Sequence, residues 1–104
     1  MDTEIKDIII EQLKRELSNN ECDIKIELNL AKLQGKKQVN YSLAGGDTAL
    51  RRYIQNVAYG QLDLLLTKEV LDDLQTLIPN WKIDLVEHHW ILTHTRVLIF
   101  DFIE

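Results

Sequence analysis

Residues 41–68 read YSLAGGDTALRRYIQNVAYGQLDLLLTK, and whether this run folds as helix or as strand decides the architecture. Leu50, Tyr53, Ile54, Val57 and Ala58 recur at helical spacing behind an Asp47 or Thr48 cap, the pattern of a short amphipathic helix. A rival reading makes 50–54 and 61–66 extended, bent around Asn56 and Gly60. QLDLLL is short and apolar, which suits a buried strand better than a helix of its own. Periodicity favours the helix over 48–58, and both readings stay open. Upstream, VNYSL puts Val39, Tyr41 and Leu43 on one side of a strand, and Gly45-Gly46 breaks it, because glycine accepts backbone angles other residues avoid.

Working outward toward the N-terminus, CDIKIELNL alternates Cys22, Ile24, Ile26, Leu28 and Leu30 with Asp23, Lys25, Glu27 and Asn29. That is a period-two strand with one wet face. Gly35 in KLQGKK offers the turn that would pair it with VNYSL as a hairpin. Before it, Ile5, Ile8, Ile9, Leu13 and Leu17 form the stripe of a first helix, with Ile10 beside it and Lys6, Glu11, Lys14, Arg15 and Glu16 on other faces. Thr3 is placed to cap it, and Asp2 and Glu4 suit the positive end of its dipole. Ser18-Asn19-Asn20 ends it, since these side chains compete for backbone hydrogen bonds.

Toward the C-terminus, Thr67 caps KEVLDDLQTLI, whose Val70, Leu71, Leu74, Leu77 and Ile78 line one face before Pro79 stops it. KIDLVEHHWIL, a turn at THT and RVLIFDFIE then read as a β-hairpin. In its last strand Val97, Ile99 and Ile103 alternate with Leu98, Phe100 and Phe102. A strand apolar on both sides is central in a covered sheet or lies against another subunit. The expected fold is α+β: an N-terminal helix, an antiparallel sheet of four to five strands, one or two further helices and the C-terminal hairpin, in one domain over 1–104.

Composition narrows the function classes. The chain has 104 residues, 45% of them hydrophobic, and a formal net charge of −5, so a globular domain is expected rather than a disordered one. Nonspecific nucleic-acid binding normally needs a basic face. Lys32, Lys36 and Lys37 are the best local candidates, and a solvated hairpin tip explains them. The single cysteine, Cys22, cannot form an internal disulfide. The N-terminus lacks a basic leader, and no apolar run reaches the length of about 18 residues that a membrane span needs. We therefore expect a cytoplasmic product with no membrane partner.

Few residues suggest chemistry. Glu87-His88-His89 with His94 is the one metal-like cluster. In a strand His88 points away from Glu87 and His89, and no second carboxylate or cysteine stands at ligand spacing, so polar residues on an exposed strand face are the expectation. Cys22 sits in an apolar row, like a small core residue rather than a thiolate. Gly45-Gly46-Asp47-Thr48 lacks the lysine of a phosphate-binding loop. Asp72, Asp73 and Glu69 are expected to face solvent. No catalytic residue, cofactor or metal is expected. Interaction residues are easier to name: Arg51, Arg52 and Tyr53 have the composition of protein interfaces, and Trp90, Val97, Ile99 and Phe100 belong to the doubly apolar hairpin.

The run YSLAGGDTALRRYI followed by LDLLLTK resembles the minor capsid or tail-terminator proteins of siphovirus-type phages of Gram-positive bacteria. Tyr41, Gly45, Gly46, Arg52, Tyr53, Ile54, Leu64 and Lys68 carry the likeness, which covers about 24–68. Where that family follows its Tyr-Ile with Asp-Gly, this chain has Gln55-Asn56-Val57. The resemblance implies a sheet flanked by helices, extended segments over 49–66, and a structural role in a ring at the head–tail junction or tail end, in host cytoplasm and then in the virion. A ring needs one patch on each subunit to meet a different patch on the next, and the doubly apolar last strand and the edge strand of the first hairpin are the expected halves. The expectation is thus a non-enzymatic, self-associating assembly protein with protein partners and no sequence-specific nucleic acid. The alternative is a small acidic inhibitor or immunity protein that meets the basic cleft of one enzyme.

Overall fold

The computed structural model describes residues 3–44, 48–55, 57, 61–90 and 93–103, with backbone alone at 3, 88–90, 93 and 94. In chain order these form α1 (Thr3–Ser18), α2 (Asp23–Leu33), β1 (Gln38–Ser42), α3 (Ala49–Ile54), α4 (Gln61–Leu65), α5 (Lys68–Gln75), β2 (Trp81–Trp90) and β3 (Thr93–Phe102). The strands make one antiparallel sheet in the order β1-β3-β2. Register runs Val39↔Phe100↔Ile83 and Tyr41↔Leu98↔Leu85. Those six side chains share a face with Trp81 and Phe102, because side chains alternate along a strand. They join Ile9, Leu13 and Leu17 of α1, Ile24 and Leu28 of α2, Leu50 of α3, Leu62 and Leu65 of α4, and Leu71 and Leu74 of α5 in one core. The fold is α+β in two layers, sheet and helices.

Several elements follow the sequence closely. Thr67 caps α5, its hydroxyl accepting from the Val70 amide at 3.3 Å. Thr48 caps α3 in the same way through the Arg51 amide, so periodicity is right over 49–54 and the extended reading there is not. The C-terminal hairpin forms, with strands in register up to Trp90↔Thr93. Residues 93–95 are therefore already strand, so THT is not the turn. The doubly apolar last strand is the central one.

Other expectations need correction. Among the described residues the sheet has three strands, not four to five, and four helices follow α1, not one or two. Residues 61–65 are helical, not extended. Glu16, read as an outer-face residue, is buried. It accepts from the Gln12 amide at 3.4 Å, and its second oxygen has no partner among the described residues.

The largest correction is α2. CDIKIELNL is a helix, and VNYSL pairs with β3 rather than with it. Asn19 makes the turn between α1 and α2: its side chain accepts from the Glu21 amide at 2.9 Å, and its carbonyl from the Cys22 amide at 3.0 Å. Gly35 then closes the helix at φ 71°, with Gly35 N–H donating to the Lys32 carbonyl and Lys36 N–H to that of Ala31. This is the left-handed glycine closure of a helix C-terminus, not a hairpin turn. Asp23 in the first turn and Lys32 in the last complement the helix dipole.

Candidate interaction surface

Folding an alternating sequence as a helix has a direct consequence. Ile24, Leu28 and Ala31 stand at i, i+4 and i+7 and are buried against the core. Ile26, Leu30 and Leu33 repeat that spacing about half a turn away, and they are 41%, 49% and 84% exposed. One face of α2 serves the core, and the opposite face presents a second apolar stripe to solvent. Leu30 also helps to wall a groove of about 450 Å³ between α2 and β1, together with Glu27, Ala31, Gln38, Val39 and Asn40.

The far wall of that groove is β1, which has no neighbouring strand on this side among the described residues. Lys37 and Leu43 exchange main-chain bonds with Phe102 and Arg96 of β3. Peptide groups alternate sides along an antiparallel strand, so odd residues of β1 face β3, and Gln38, Asn40 and Ser42 turn their N–H and C=O groups outward. The Ser42 carbonyl is capped: it accepts from Arg51 Nε at 2.9 Å. The outward main-chain groups of Gln38 and Asn40 find no partner among the described residues.

Arg51 anchors this end of the surface. Its guanidinium lies over the Tyr41 ring, 4.3 Å from the centroid, and the Tyr41 hydroxyl donates to Asp23 Oδ2 at 3.0 Å. β1 is thereby tied to the start of α2 and to α3. Burial raises the Tyr41 phenol to about 12, with Asp23 adding to the shift and Thr48 and Arg51 opposing it. Glu27 is also pushed above its ordinary value, by burial first and then by the Asp23 carboxylate, with Arg51 pulling the other way. The N-terminal end of α2 therefore carries two acids in mutual repulsion beside one cation.

The residues named from the sequence scatter. Arg51 is engaged within its own chain, as just described. Arg52 and Tyr53 are exposed on α3, and Tyr53 joins Ile8 along a different groove beside α1. Val97 and Phe100 are buried within the chain, so neither is available to a partner. Ile99 is half-buried on the sheet face opposite Phe100. Side chains of Trp90, His88, His89 and His94 lie outside the described residues, as do Gly45, Gly46 and Asp47.

Glu87 is ion-paired to Arg96 Nη1 at 2.9 Å, and the same guanidinium grips both oxygens of Asp63 at 2.7 and 3.0 Å, fastening α4 to the hairpin. No group of three or more possible metal ligands occurs among the described residues. The Cys22 thiol is raised by burial and then by Glu16, a shift that disfavours the thiolate.

Sequence reasoning missed the exposed Leu30 and Leu33, and named an edge strand only within the wrong pairing, because it placed 22–30 and 39–43 in one hairpin. The signal was present: Leu33-Gln34-Gly35 after a basic residue reads equally as a helix end. No helix among the described residues is long and apolar enough to cross a membrane. In comparisons with known proteins, the chain matches no protein-family description, no curated protein and no solved structure.

Proposed function

We propose that this chain is a non-enzymatic structural or assembly protein that works by self-association, with the outward face of α2 as its contact surface. The observation that carries the reading is the second apolar stripe: Ile26, Leu30 and Leu33 remain in water after the core is complete. Isolated exposed leucines are ordinary, but a contiguous row at helical spacing is the pattern of a helix that docks. The narrower reading is a phage head–tail joining or tail-terminator subunit. It rests on the residue pattern over 24–68 alone, since 49–54 and 61–65 are helices where the resemblance implies strands.

Light scattering coupled to size-exclusion chromatography, over a hundred-fold range of concentration, tests self-association. The expected mass is a multiple of 12.2 kDa, falling toward the monomer on dilution and in Leu30→Glu. A monomer at every concentration overturns the reading and favours the acidic one-partner inhibitor.

A further inference from the structure

We infer that two copies of this chain pair through the free edges of β1 in antiparallel register centred on Val39, giving a closed two-fold dimer with one continuous six-stranded sheet. This rests on the self-association reading above and names its geometry. The first argument is the main chain. An extended backbone matches the spacing of outward N–H and C=O groups two residues apart, and Gln38 and Asn40 present such groups next to a groove. The edge is short because Arg51 occupies the Ser42 carbonyl. A long or featureless edge would accept many strands; this one accepts a short, defined one.

The second argument is self-complementarity, which a two-fold contact demands. With Val39 on the axis, Gln38 of one copy, whose amide nitrogen donates to its own Asp101 at 2.8 Å, lies opposite Asn40 of the other. Lys37 lies opposite Tyr41, and Lys36 opposite Ser42. No like charges face each other. The two Val39 side chains meet on the face that carries α2, and Leu30 of each copy stands above that junction. One symmetry operation thus covers two separate exposures, the open edge and the apolar groove wall.

The third argument is charge. Tyr41 bonds Asp23, so the acidic end of α2 stands at the Ser42 end of β1, and Lys36 follows the opposite end of the helix. Antiparallel pairing brings Lys36 of one copy beside Asp23 and Glu27 of the other, twice per dimer. That adds a second cation to two neighbouring carboxylates that Arg51 alone faces within one copy.

Two variants and a control test this. Asn40→Pro removes the outward N–H and leaves every bond to β3 in place, a position where an edge strand accepts proline. Its expected mass is half that of the parent, with unchanged circular dichroism and melting. Val39→Cys in a Cys22→Ser background places two thiols on the axis at a non-hydrogen-bonded pair, where Cα atoms about 4.5 Å apart permit a disulfide. Mild oxidation is expected to give a covalent dimer. If Asn40→Pro stays dimeric, or folds poorly while the Val39→Cys dimer does not cross-link, the β1 register is overturned. If in that case Leu33→Glu gives monomers, self-association through α2 stands by itself. A parent monomeric at all concentrations overturns both.

Discussion

At Tyr41 a single side chain joins three elements, and its chemistry makes that join measurable. The ring is buried under Arg51 and the hydroxyl donates to Asp23. Removing the hydroxyl in Tyr41→Phe leaves that carboxylate without its donor, at a cost of about 1–2 kcal/mol at neutral pH. The phenol titrates at about 12 in the folded chain, against an ordinary value of about 10. Between those values the folded state keeps a proton that the unfolded state has lost. The contribution is therefore complete below pH of about 10 and is lost as pH rises toward about 12. Chemical denaturation at pH 8 and at pH 11 checks this: wild type should lose stability over that interval by more than Tyr41→Phe does.

The element that most resists a reading from sequence is α2, and the reason is geometric. Apolar residues at i, i+2, i+4, i+6 and i+8 contain the subset i, i+4, so a perfect alternation also satisfies a helical stripe. What decides is the rest of the segment. Leu, Glu, Lys and Ala are good helix formers, Asn19 and Gly35 supply a turn and a closure at its two ends, and the edge of β3 is taken by β1. Where local and periodic signals agreed, as in α1, in Thr67-capped α5 and in the C-terminal hairpin, the fold was legible. The surface was not, because it exists only if α2 is helical: in a strand Leu28 and Leu30 point the same way, and in the helix they point apart. That difference is testable by truncation. Leu28→Ala should cost about 2–4 kcal/mol as a core cavity, and Leu30→Ala about 0.5 kcal/mol or less in the monomer. Urea midpoints for the pair, measured at high dilution, check it; equal losses would contradict a helical α2.

For the whole molecule, the order β1-β3-β2 means that the last strand is the one the others pair with. β1 is joined to it across more than fifty intervening residues, and the core passes without a break from α1 through α5 to Phe100. The Cα radius of gyration, 13.3 Å, is that of a compact chain of this length, about 13 Å. No described element has a core of its own, so none should survive alone, and loss of β3 should dissolve the molecule as a unit. Phe100, fully buried between Val39 and Ile83, is the place to test this. Phe100→Ala should cost about 3–5 kcal/mol, a large share of the about 5–15 kcal/mol that holds a domain folded. Its effect should reach α1 as strongly as the hairpin: tryptophan fluorescence, which reports Trp81 and Trp90 of β2, and far-ultraviolet circular dichroism, which reports the helices, should move to the same lower midpoint. Ile99→Ala, on the other face of the same strand, should cost about 1 kcal/mol, because Ile99 is half-buried and lies outside that core. If the fluorescence transition shifts while the helical one stays, the helices hold together without the sheet, and a single core linking both ends of the chain is the wrong description.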